Sequence, residues 1–254
     1  MSDAGARQGG GDAAGADGTA QPAKVLVVVA HPDDIDFGGA ATIARWISDG
    51  ADVTYCIVTD GDSGGSDRSQ SRADMASVRR REQVAAAAVV GVDDVRFLGY
   101  PDGKLYSSLG LRRDISRVIR QVRPDRVVTQ SPEHNWERLP ASHPDHRAVG
   151  DATLDAIYPD ARNPFAHPEL LEEGLEPHIV EQVWVMASVH PTHWVDVTAT
   201  FDLKIRALSC HVSQVAHMED LAGFVHSRLT ASARAGGLPD GHLAEEFLVV
   251  RAPR

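Results

Sequence analysis

The stretch that most constrains this chain is residues 24–30, KVLVVVA. It is short, β-branched and apolar throughout, and it ends at a polar turn, HPDDIDFGG. A strand with one face in water would alternate. An unbroken apolar run reads as a strand covered on both sides, as in parallel sheets. The same grammar then repeats. A helix is expected at 40–48, closed by Asp49-Gly50, and a strand at 53–58. A helix at 77–90 with Gly91 behind it, a strand at 95–98, a helix at 109–122, a strand at 126–129 and a helix from about 146 to 157 follow. Four strand–helix units predict an α/β, Rossmann-like fold: a mostly parallel sheet with helices on both faces. The part after 157 reads as irregular. It has a Pro-rich stretch at 158–177, a strand at 183–187, a helix near 201–209 and a closing strand at 247–250. We expect a disordered tail at 1–22, rich in Gly, Ala, Asp and Gln, and a single domain over 23–254.

Composition narrows the partners. The net charge of −11 sets 36 acidic against 25 basic residues, which repels phosphate backbones and anionic lipid. Neither nucleic acid nor a membrane is therefore an expected partner. No apolar run approaches the roughly 20 residues of a membrane helix, and residues 1–22 lack the basic start and apolar centre of a signal peptide. With only Cys56 and Cys210, the chain is no disulfide scaffold, and a reduced, cytoplasmic location is the simpler expectation.

Open α/β sheets place their sites beyond the carboxyl ends of the strands. The polar segments after residues 30, 58, 98 and 130 all fall on that edge. The first holds His31-Pro32-Asp33-Asp34; a later one holds His143-Pro144-Asp145-His146, 112 residues on. A hydrolytic zinc site needs about three protein ligands, one open position for water and a carboxylate that is not a ligand. A His and an Asp three residues apart in a turn can converge on one ion and leave the Asp between them aimed at the water. Polar turns that merely open helices would explain either segment alone, but not three imidazoles on one sheet edge.

These two motifs resemble the PIG-L/LmbE-like family of zinc-dependent N-deacetylases, which act on N-acetylglucosamine-containing compounds. The resemblance continues through Thr59-Asp60-Gly61-Asp62, Arg79 and Glu82, the segment Phe97-Leu98-Gly99-Tyr100-Pro101-Asp102-Gly103, Asp196-Val197-Thr198, Lys204 with Ala207, His211 with Ser213-Gln214, and Ala244-Glu245 before Phe247. It implies His31, Asp34 and His146 as metal ligands and Asp33 as general base. It implies His143 as a second catalytic group, stabilising the oxyanion or protonating the leaving amine. It implies Arg79 and Asp102 as contacts to the sugar or its substituent. The implied cofactor is Zn²⁺, although a His₂Asp set also accepts Fe²⁺, Co²⁺ or Mn²⁺. The implied partner is a small amino sugar or glycoconjugate, and a homo-oligomer stays open.

Alternatives remain open: an amidase for a thiol conjugate or N-acylated natural product, or a non-catalytic metal- or sugar-binding module. A dinucleotide oxidoreductase is disfavoured, because HPDD stands where G-x-G-x-x-G would be needed. Asp36 reads as a solvated or supporting carboxylate, Lys204 as a helix-surface residue and Cys56 as a buried small hydrophobe. His134, His190, His193, His211 and His217 read as structural or exposed. Trp136 and Trp194 read as packing residues that could instead stack on a sugar.

Overall fold

The computed structural model describes residues 23–65 and 69–252; the expected tail at 1–22 lies outside the described residues. In chain order the elements are β1 (Lys24–Val29), α1 (Asp34–Gly38), α2 (Ala40–Ser48), β2 (Asp52–Thr59), α3 (Arg72–Val90), β3 (Asp94–Tyr100), α4 (Leu109–Val122), β4 (Arg126–Gln130) and α5 (Pro144–Ile157). They continue with α6 (Pro168–Glu172), β5 (Gln182–Met186), β6 (His193–Asp196), α7 (Phe201–Ser209), α8 (Val212–Val215), α9 (Leu221–Ala235) and β7 (Ala244–Arg251).

The seven strands form one sheet in the order β3-β2-β1-β4-β5-β7-β6. The first five run parallel, and β7 pairs antiparallel with both β5 and β6. Residues 25–29 of β1 are completely buried, because β1 has neighbours on both edges and helices on both faces. Its odd residues face one core, with Trp46, Tyr55, Ala86, Trp184 and Leu208; its even residues face the other, with Leu111, Ile115, Val149 and Ala152. The chain runs outward from β1 to β3, then returns to β4 on the opposite flank of β1. That reversal opens a crevice between the carboxyl ends of β1 and β4, the usual ligand position in such sheets.

Three local departures from the expected elements have physical causes. Helix α3 begins at Arg72, five residues earlier than its apolar pattern suggests, because Ser71 Oγ caps it by accepting the Asp74 N–H at 3.1 Å. The segment after β1 contains the short α1. Strand β6 and helix α9 were not expected. Strand β6 has only four residues, and α9 buries just Val225, Leu229 and Ala233, too narrow a stripe to announce a helix. The Pro-rich stretch is irregular apart from the short α6 (Pro168–Glu172), which was not expected. It is gathered by the Arg120 guanidinium, which donates to the carbonyls of Asp160, Ala161, Asn163 and Ala166. Helix α5 crosses β4 at Gly150, where a Cβ would collide with the Gln130 carbonyl. Among the described residues no helix is long and apolar enough to cross a membrane.

Candidate active site

Three ligand-type side chains meet in the crevice. His31 follows β1, Asp34 opens α1, and His146 lies in the first turn of α5. His31 Nδ1 is 3.2 Å from His146 Nε2 and 3.3 Å from Asp34 Oδ2, and His146 Nε2 is 3.0 Å from Asp34 Oδ1. Tetrahedral zinc with bonds of about 2.0–2.1 Å separates its ligand atoms by roughly 3.3–3.4 Å, so these spacings suit one small cation. The other nitrogen of His31 faces Asp102 Oδ1 at 3.1 Å and Asp145 Oδ2 at 3.3 Å. A ligating imidazole is typically oriented by such a carboxylate. Asp145 is itself held by the N–H groups of Gly103 and Leu105, at 2.7 and 3.2 Å.

The electrostatics ask for positive charge. Burial opposes protonation of His31, yet Asp34, Asp102 and Asp145 outweigh it and push the imidazole up to about 12. A pocket that grips a proton this firmly is one that a divalent cation can occupy instead. His143 forms a further potential ligand group with His31 and His146. Its Nδ1 accepts the Asp145 N–H at 3.2 Å, which caps α5 and leaves the Nε2 position for the proton of the neutral ring. Burial, helped by the neighbouring His31 and His146, lowers its pKa, so the ring stays neutral.

Asp33 stands apart from the ligand group. Its φ of 92° is left-handed, a conformation that costs a non-glycine residue of order 1–3 kcal/mol and must be imposed by its surroundings. Its carboxylate is 3.1 Å from Arg79 Nη2. Burial raises its pKa to about 6, with Arg79 pulling down and Asp34 pushing up. A carboxylate poised there can exchange protons near neutral pH.

The residues expected to face the substrate are committed to the protein. Arg79 is 4% exposed and also donates to the carbonyls of Pro32 and Gly61. Gly61, at φ 62°, is where a Cβ would strike that guanidinium. Asp102 is 7% exposed; besides facing His31 it accepts the Ser63 N–H at 3.2 Å. Of the two readings of Asp36, the supporting one holds: it is fully buried, 2.8 Å from His211 Nε2, a partner 175 residues away. The reading of Lys204 is corrected. It is not a surface residue: it is 1% exposed and donates to Glu245 Oε1 at 2.7 Å and to the carbonyls of Asp36 and Phe37. It was misread because isolated charges are usually exposed, and Glu245 lies 41 residues away. Cys56 is buried in β2. Trp136 is 81% exposed and stacks on His134 with ring centroids 4.9 Å apart.

Sequence reasoning missed Gln83, which lies under the HPDD turn on α3 and carries no motif signal. It also gave no role to Glu82, which accepts the Ser213 N–H at 2.8 Å and hydroxyl at 2.6 Å. The two had appeared only as separate matching segments.

The PIG-L family model, described as GlcNAc-PI de-N-acetylase, matches residues 26–157. The chain is 32% identical over 191 residues to the diacetylchitobiose deacetylase of Thermococcus kodakarensis, covering 75% of this chain and 70% of that one. In structure it resembles the N,N'-diacetylchitobiose deacetylase of Pyrococcus horikoshii, with a TM-score of 0.83, 29% identity and 91% and 84% of the two chains covered. It also shares its fold with GalB, the 4-carboxy-2-hydroxymuconate hydratase of Pseudomonas putida, at a TM-score of 0.74 and 22% identity, over 91% and 97% of the two chains.

Proposed function

The chain belongs to the PIG-L family of GlcNAc-PI de-N-acetylases, and from that premise we propose that it is a zinc-dependent N-deacetylase of an N-acetylglucosamine-containing small molecule or glycoconjugate. His31, Asp34 and His146 would hold the metal, and Asp33 is the general base. The observation that carries this reading is one carboxylate, Asp33, held in a left-handed turn beside three ligand-type side chains whose nearest polar atoms lie 3.0 to 3.3 Å apart. When bound, zinc supplies polarisation of the amide carbonyl and a lowered pKa for water.

The protein's own groups do the rest. Asp33 accepts the proton of the attacking water. His143, neutral and with Nδ1 already accepting a backbone N–H, donates Nε2–H to the oxygen on which charge develops; removing one such donor costs roughly 10²–10³ in rate. A neutral imidazole with a lowered pKa is a poor store for a proton, so the proton taken by Asp33 is the one returned to the departing amine. Arg79 acts through Asp33, holding its carboxylate ionised and in place. Asp102 and Asp145 orient His31.

The test is acetate release from a panel of N-acetylglucosamine derivatives by zinc-loaded protein. Release should be abolished by a chelator, and Asp33→Ala should lower it by several orders of magnitude while zinc binding is retained. Protein that holds one zinc per chain and releases acetate equally well as Asp33→Ala would refute the assignment of the base.

A further inference from the structure

Asp33 holds a backbone conformation that its own side chain disfavours, so something outside the turn must impose it. Gln83, on α3 and fully buried, accepts the Asp33 N–H through Oε1 at 2.8 Å. Its amide nitrogen then points the other way and donates to Asp36 Oδ2 at 3.0 Å. The same Asp36 oxygen is 2.8 Å from His211 Nε2, and Asp36 and His211 are both completely buried. The orientation of the amide is therefore dictated. Turned over, it would set its NH₂ against the Asp33 N–H and its carbonyl against the Asp36 carboxylate. Asp36 is fixed in turn, because Lys204 holds its backbone carbonyl at 2.8 Å. Gln83 also lies four residues after Arg79, on the same face of α3. One helical turn thus supplies the clamp on the Asp33 carboxylate and the clamp on its backbone. Neither hydrogen bond of Gln83 goes to His31, Asp34 or His146.

We propose that Gln83, buttressed by the buried Asp36–His211 pair, is a positioning residue that aims the Asp33 carboxylate. This rests on the reading of Asp33 as the base. Glutamine suits the place because it alone among side chains of this length both accepts from one backbone N–H and donates to one carboxylate.

The test uses the zinc-loaded full chain, with N,N'-diacetylchitobiose as probe. Gln83→Met keeps the volume and removes both hydrogen bonds. It should lower kcat roughly 10–100-fold, since a misplacement of a catalytic group by about 1 Å can cost about 10² in rate, with KM within about twofold and zinc still at about one per chain. In an Asp33→Asn background the same substitution should cost nothing more, because it acts only through Asp33. Independently of turnover, the Asp33 amide should exchange with solvent at least about tenfold faster in Gln83→Met, while the β1 amides keep their protection. An unchanged kcat, an equal loss in the Asp33→Asn background, or an Asp33 amide as protected as before would each overturn the proposal. If the parent releases no acetate from this probe or from the rest of the N-acetylglucosamine panel, the deacetylase reading fails on that result. Amide exchange then decides the positioning role alone, fast exchange supporting it and unchanged exchange overturning it.

Discussion

Replacing Lys204 by Met should destabilise the protein by about 3 kcal/mol. Lys204 Nζ is buried and makes three bonds: to Glu245 Oε1 at 2.7 Å, to the Asp36 carbonyl at 2.8 Å and to the Phe37 carbonyl at 2.9 Å. Methionine fills similar volume, so no large cavity opens. What is lost is charge compensation. Removing one partner of a buried ion pair typically costs 3–5 kcal/mol, because the other charge is stranded. Glu245 is not stranded completely: its carboxylate still accepts the Ala41 and Thr42 N–H groups at 3.2 and 2.7 Å, at the start of α2, where the helix dipole favours negative charge. That places the expectation near the lower end of the range. At about 2–4 °C per kcal/mol for a chain of this size, Tm should fall by roughly 6–12 °C. Urea unfolding followed by tryptophan fluorescence reads the change directly, as a lower midpoint with the same slope. The double variant Lys204→Met with Glu245→Gln should lose less than the single one, since no charge is left behind and the amide oxygen still accepts the Thr42 N–H, only the longer Ala41 bond being given up. A single-variant loss below about 1 kcal/mol, or a double variant at least as unstable as the single, would refute the reasoning.

Three further outcomes follow from the site and core. Deacetylation needs Asp33 ionised, so with its pKa raised to about 6 the rate should fall as pH drops through that value; Arg79→Met removes the cation that holds the pKa down, and the acid limb of kcat/KM against pH should move upward. Asp145→Asn takes one carboxylate from His31 and sets an amide NH₂ against the Gly103 or Leu105 N–H, so zinc affinity measured by chelator competition should weaken roughly 10–100-fold. Burial pushes the Cys56 thiol up to about 12, so a thiol reagent should label Cys210 in the native protein and reach Cys56 only on unfolding.

The α/β class and the parallel direction of the strands were legible because each rests on a local signal, the unbroken apolar run of β1 and the helices spaced between the strands. The HPDD and HPDH segments were legible for a similar reason: a rare residue pattern at two places on one sheet edge restricts the chemistry that can meet there. Strand β6, helix α9 and the early start of α3 were not, since the first two bury too little to leave a period and the third depends on one serine cap. The same limit hid the support of the site. Asp36, Lys204, Gln83 and Glu82 look like ordinary polar residues along the chain, and only when α3, α7 and β7 pack around the first turn do all four become paired and the first three buried. How the two neighbouring carboxylates are partnered was likewise decided by tertiary structure, with Arg79 drawing Asp33 aside and His146 meeting Asp34. Sequence alone determined which chemical groups reach the carboxyl edge, because periodicity and turn chemistry act over a few residues. Folding determined their charge states and directions, because burial and hydrogen bonding join groups 39 to 175 residues apart.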